Sequence, residues 1–244
     1  CMANQLKSRP QSIHGWVAEE LGTRIVSGVY SPGEYIPNET SIGEELGVSR
    51  TALREAFKIL TSKGLLESRP KLGTRIRPRK HWNMFDSEIL SWCFESKPSP
   101  QFFISLFEIR EIFEPAAAEL AAKNRTEEQA VVLGAAYEAM EKAEIGTDAV
   151  FSSDLDFHMA VLDATNNEFM ISLGMTIQTA LMGLFRLSSS IAEEYVDSLP
   201  GHKAVYQAIA AAEPAKAKTE MFQLLAKSKE NLAYALKNLA KQPE

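Results

Sequence analysis

The chain has 244 residues, 45% of them hydrophobic, enough to bury one large core or two small ones. No apolar run is long enough to span a bilayer and no secretory leader is legible, so no membrane partner and a cytoplasmic location are expected. Two cysteines, Cys1 and Cys93, exclude a disulfide framework and fit a reducing compartment. The net charge of −6 is uneven: residues 1–80 carry 13 Lys+Arg against 8 Asp+Glu, and the remainder carries 13 against 24. A basic N-terminal module on an acidic body is the pattern of one part that meets nucleic acid and one that does not.

Residues 11–27 read as the first helix, with Ile13, Trp16, Val17, Leu21, Ile25 and Val26 on its buried face. Pro32 and Gly33 turn the chain. From residue 36 to 60, Ile42, Leu46, Val48, Leu53, Ala56, Phe57 and Leu60 recur at three- and four-residue steps. Gly47 permits a left-handed stop and Ser49 caps a second short helix, which makes a helix-turn-helix. Ser49, Arg50, Thr51 and Arg54 lie near the start of that second helix, off its apolar stripe. That end of a recognition helix enters the major groove, where Arg binds guanine edges or phosphate. Residues 65–68 and 74–77 read as two short strands. The tip between them is basic and contains Arg69, Lys71 and Gly73, as a wing touching the minor groove or phosphates would.

Residues 79–99 form a join with a short amphipathic helix, its packing side offered by Trp82, Phe85, Ile89, Leu90 and Trp92. From residue 100 onward only helices are predicted: 100–123, 127–144, 147–165, 168–192, 201–212 and 214–241. Pro200-Gly201 and Pro214 serve as breaks. The predicted fold class is therefore mainly α. A winged helix-turn-helix fills residues 1–78, and an all-α bundle for effector binding and dimerisation fills 100–244.

Within the bundle, Asp154 and His158 share a helix face at i, i+4. A carboxylate and an imidazole so spaced can hold a divalent ion, and they can equally share a hydrogen bond. Asp156 faces elsewhere. Arg110 is flanked by Leu106, Ile109, Phe113 and Ala117, so it faces a packed region and needs an anion there. A bound carboxylate suits its fork, and Glu114 at i+4 is the competing partner. Arg186, in the apolar stretch ALMGLFRLSSS, is a second candidate for a carboxylate, with Ser188, Ser189 and Ser190 as possible hydroxyl partners. No nucleophile motif, phosphate loop or paired general acid and base is present, so an enzyme is not expected.

The order P-x-E, L-G-V-S-R-T-x-x-R-E-A, K-G-L and a basic wing ending in G-T resembles the winged-helix domain of the GntR superfamily of bacterial transcription regulators. Thr40 departs from the pattern, which commonly has Arg after that Glu. The segments RxxxEPAAAELAA at 110–122, D-x-x-F-H at 154–158, A-x-x-N-N at 164–167 and G-H-K-A-V-Y-Q-A-I at 201–209 resemble the FadR-type effector domain, the FCD domain. That resemblance implies a helical bundle binding a small acid beside a metal held by one Asp and three His. By position the ligands are Asp154, His158 and His202, and Leu224 stands where the last His is expected. Three ligands remain for a divalent ion such as Zn, Ni or Mn. Without an ion, the same residues bind the effector directly. The stretches KGLLESRPKLGTRIRPR and H-W-N-x-x-D-S-E-I-L-S-W resemble the subgroup of sugar-acid operon repressors. The implied protein is a homodimeric repressor on a palindromic double-stranded operator, released by a small carboxylate such as galactonate or gluconate. The alternative is a regulator for which the ion itself is the effector.

Overall fold

Ser12 opens the first helix by accepting the Gly15 amide on its Oγ at 3.3 Å, and α1 runs over Ile13–Val26. The computed structural model describes residues 12–69, 71–96, 98–185 and 191–239, with 178–185, 191–194 and 232–239 described by backbone alone. Helix α1 buries Val17, Ala18, Leu21, Gly22 and Ile25. Ile13 and Trp16, expected on that stripe, are exposed instead. The buried face is centred on the small pair Ala18 and Gly22, and Trp16 lies on the far side of the helix from Ala18.

Asn38 caps α2 (Glu39–Leu46) by accepting the amides of Thr40 and Ser41, both at 3.0 Å. Gly47 ends it at φ 67, a conformation that suits a residue without a Cβ. Ser49 then caps α3 (Arg50–Ser62), accepting the Ala52 amide at 3.2 Å. Ile42, Leu53, Ala56 and Leu60 are buried between the helices.

Strands β1 (Leu66–Arg69) and β2 (Gly73–Ile76) form an antiparallel hairpin with Leu66 opposite Ile76 and Arg69 opposite Gly73. Each strand lies within one residue of its predicted position. The backbone before α2 supports the wing from behind: Ile36 N donates to Thr74 O at 3.0 Å, and Ile76 N donates to Glu34 O at 2.8 Å.

Helix α4 (Ser87–Glu95) packs on α1. Trp92 lies directly over Gly22, and Lys63 at the end of α3 donates to both oxygens of Asp86, the N-cap of α4, at 2.8 and 2.7 Å. Trp82, Ile89, Leu90 and Trp92 are buried as expected, whereas Phe85 is 52% exposed. Phe85 precedes the N-cap Asp86, so it is outside the helical period that buries Ile89, Leu90 and Trp92, whereas Trp82, also ahead of the helix, donates from Nε1 to Arg77 O at 2.8 Å.

The chain divides into two compact units between Pro98 and Ser99. Among the described residues, the second unit is wholly helical: α5 (Pro100–Asn124), α6 (Glu127–Lys142), α7 (Asp148–Asp163), α8 (Glu168–Phe185), α9 (Ile191–Ala210) and α10 (Pro214–Leu239). Helix α5 packs against α7, α9 and α10 and presents Ala117, Ala118, Ala121 and Ala122 to the core, where small side chains allow close approach. Phe157, Leu133, Met140, Val205 and Ile209 fill the interior.

The expected break at Pro200-Gly201 does not occur. Helix α9 continues through Pro200, and the predicted start at 201 is corrected to Ile191. Proline in a helix interior removes one backbone bond and costs about 3 kcal/mol. Packing of α9 against α5, α6 and α10 offsets that cost. Arg125 closes the other end of α9, donating from Nε to Ile209 O at 2.9 Å and from Nη2 to Ala210 O.

Candidate metal centre and nucleic-acid interface

Three helices of the second unit send polar side chains to one point. Arg110 and Glu114 come from α5, Asp154 and His158 from α7, and His202 from α9. All five are buried, none more than 9% exposed. Charged groups so deep must be paired, because an isolated buried charge is too costly.

Asp154, His158 and His202 each offer one ligand atom, and these atoms lie within 4.8 Å of one another. His158 Nε2 lies 4.0 Å from Asp154 Oδ2, and His202 Nε2 lies 3.2 Å from Asp154 Oδ1. The second contact is close but poorly directed for a proton, and His202 Nε2 is a buried nitrogen without a hydrogen-bond partner. The other nitrogen of that ring, Nδ1, sits 3.0 Å from Ser198 O. A carbonyl only accepts, so Nδ1 carries a proton, and in the neutral, metal-ligating form of the ring the Nε2 lone pair faces Asp154. One carboxylate and two imidazoles with an orphaned lone pair fit a divalent cation.

Arg110 lies against Glu114. Its Nε donates to Oε1 at 2.5 Å, and its guanidinium sits over the Phe107 ring at 5.1 Å. Glu114, one helical turn away, is thus a partner of Arg110. Glu114 also reaches His158, with Oε2 2.9 Å from Nδ1. Burial alone would push the Glu114 carboxyl up, but Arg110 and His158 overcome it and hold it at about 2. Burial would push His158 down, yet the charge of Glu114 beside it holds the imidazole above its ordinary value. Asp154 is likewise lowered against its burial, by His202 and His158.

Sequence reasoning placed Glu114 only as a partner for Arg110 and missed its contact with His158. A further buried contact joins Ser153 Oγ to Tyr195 OH at 2.9 Å, and Tyr195 donates to Met140 O at 2.8 Å. Leu224 is buried beside Gly201, its Cδ1 3.0 Å from where a Cβ on that glycine would stand. It packs against α9 at Gly201, the residue before His202. Asp156 is exposed. Arg186, Ser188, Ser189 and Ser190 lie outside the described residues.

In the first unit, Ser49, Arg50, Thr51 and Arg54 are all exposed at the start of α3. Both arginines rest on α2. Arg50 Nη2 donates to Thr40 Oγ1 at 3.2 Å, and Arg54 Nε donates to Glu39 Oε2 at 2.9 Å. The wing presents Arg69, Lys71 and Gly73 on its surface, with Lys71 at φ 65 and Gly73 at φ 104. Glu67 holds Arg69 and Arg75 together, and those hydrogen bonds, Arg75 first, keep its carboxyl below the usual range. Arg75 was not singled out from sequence. Its signal was the strand period that puts it opposite Glu67.

A winged helix-turn-helix bearing exposed arginines at the head of its second helix, joined to a helical bundle with a buried carboxylate and histidine cluster, defines a two-part transcription regulator. Residues 15–76 match the model of the bacterial regulatory proteins of the gntR family, and residues 105–227 match the FCD domain. The chain belongs to the gntR family of transcription regulators, in its FCD-domain branch.

It is 34% identical to the HTH-type transcriptional regulator YieP of Escherichia coli (strain K12), over 79% of this chain and 84% of that one. It is 31% identical to the galactonate operon transcriptional repressor of the same strain, over 78% and 83%. A solved Streptococcus agalactiae GntR structure matches at TM-score 0.50 with 26% identity, over 89% of this chain and 99% of that one. Lar of Listeria monocytogenes matches in fold at TM-score 0.62 with 20% identity, over 95% and 100%. These relatives are regulators, and the chain is a DNA-binding protein, not an enzyme. Among the described residues no helix is long and apolar enough to cross a membrane.

Proposed function

We propose that the chain is a cytoplasmic, ligand-responsive repressor. It binds a two-fold operator as a homodimer and leaves it when a small carboxylate, a sugar acid such as galactonate or gluconate, enters the bundle. The observation that carries this is the buried cluster of Asp154, His158 and His202 with its orphaned Nε2. A polar cluster inside an apolar bundle has no role in folding that apolar residues would not fill better. A relative named for galactonate and one named for the Uxu operon support the acid class.

Asp154, His158 and His202 would hold a divalent cation such as Zn, Ni or Mn. Bound there, the cation supplies a Lewis-acid site for a carboxylate oxygen. The chain's own residues shape the rest: Leu224 packs on Gly201, and Arg110, paired with Glu114, offers its guanidinium to the acid's carboxylate. The homodimer is inferred from readout, because one helix-turn-helix contacts too few base pairs for genomic specificity. Effector binding then shifts a conformational equilibrium and lowers operator affinity.

The test is thermal melting of the purified protein against a panel of sugar acids, with and without chelator. A ligand that binds only the folded state raises the melting temperature. A shift with one acid that chelator abolishes supports the proposal, and a gel shift then checks that this acid releases DNA. A shift that survives chelator makes the three residues direct effector contacts. The orphaned Nε2 of His202 also favours a second reading, in which the ion is itself the effector. DNA affinity that changes on adding metal without any acid would select that reading.

A further inference from the structure

Both histidines of the cluster face a partner that only accepts hydrogen bonds. For His202 that partner is the Ser198 carbonyl, 3.0 Å from Nδ1. For His158 it is Glu114, whose Oε2 lies 2.9 Å from Nδ1. A carboxylate oxygen accepts, so Nδ1 of His158 carries a proton, and the neutral ring, the form that ligates a cation, has its lone pair on Nε2. That lone pair faces Asp154 Oδ2 across 4.0 Å, too far for a hydrogen bond and wide enough for an ion between them.

We infer that Glu114 is a positioning residue for the metal centre, fixing the tautomer and ring orientation of His158. The inference rests on the reading that Asp154, His158 and His202 hold a divalent ion. Glu114 suits the role because both its oxygens are committed, Oε1 to Arg110 Nε at 2.5 Å and Oε2 to His158. Arg110 thus acts on His158 through Glu114. Partners that orient metal-ligating histidines are typically worth ten- to a hundredfold in metal affinity.

The experiment is zinc affinity of the full chain, measured by competition with a chelating dye, in wild type and two double variants. Removing Glu114 alone would leave Arg110 buried and unpaired, so both partners are changed. Arg110→Met with Glu114→Met removes the pair and the His158 anchor. Arg110→Met with Glu114→Gln keeps a carbonyl oxygen for Nδ1 without the charge. The first variant is expected to bind zinc ten- to a hundredfold more weakly, and the second to recover most of that loss. Equal zinc affinity in wild type and the Met/Met variant overturns the inference alone. No saturable zinc binding in wild type overturns the metal reading and the inference with it. Should neither variant fold, long-range proton–nitrogen spectra of zinc-loaded wild type decide. A proton on His158 Nδ1 with zinc on Nε2 is expected, and zinc on Nδ1 overturns the inference.

Discussion

Glu39, the first residue of α2, holds Arg54 of the recognition helix: the guanidinium Nε donates to Oε2 at 2.9 Å. A carboxylate at a DNA-facing surface repels phosphate, so its placement opposes non-specific affinity. Its return is geometric, because it restricts a long side chain before the groove is met. Glu39→Gln should therefore raise affinity for random DNA while lowering the preference for an operator selected from a random library. The check is the ratio of the two dissociation constants at fixed salt. A rise in both affinities by the same factor would make Glu39 only a source of repulsion.

Arg50 and Arg54 differ from the wing cations in what they are expected to read. Arg50→Ala or Arg54→Ala should weaken operator binding by about 1–3 kcal/mol, with a smaller loss on random DNA, as for side chains that contact base edges. Lys71→Ala at the wing should weaken both equally and reduce the salt dependence. Titrations at two salt concentrations on both DNAs separate the cases.

Gly22 is required by packing against α4. A Cβ there would stand 2.4 Å from Trp92 Cζ3, and that ring is buried. Gly22→Ala should destabilise the winged-helix unit by about 1–3 kcal/mol from overpacking, less the roughly 1 kcal/mol that Ala gains in a helix. Trp92→Leu in the same chain relieves the clash, so the double variant should lose less than the two single losses added. Thermal melts followed by tryptophan fluorescence measure this.

Cys93 lies on the buried side of α4, and burial pushes its thiol above the usual range. At neutral pH almost no thiolate is present, and alkylation of the native protein should be slow and rise with pH. Mass spectrometry of the Cys93 peptide after a timed iodoacetamide pulse tests this, with the denatured protein as the fast reference. Fast native labelling at neutral pH would show that α4 opens readily from α1.

The helix-turn-helix was legible because each of its signals is local. Gly47 stops one helix and Ser49 starts the next within three residues of themselves. The hairpin was placed within one residue for the same reason. Residues 34–36, which support the wing, could not be read, since their pairing with residues 74–76 depends on a return of the chain. Pro200 misled because a local rule met a helix packed on three others. Trp16 and Phe85 are large and apolar, and neither is buried, which periodicity alone could not reveal. In the bundle, Asp154, His158 and His202 were found by type and spacing. The hold of Glu114 on His158 spans 44 residues of sequence and two helices, so no spacing announces it.

Arg125 lies between α5 and α6, yet its guanidinium clasps the final carbonyls of α9. His202 stands two turns upstream on that same helix. The hand that steadies this imidazole thus reaches in from a connection bearing none of the cluster. A genetic selection for regulators deaf to inducer should return Arg125 alongside the ligands themselves, and its hits would include a splint as well as binding residues.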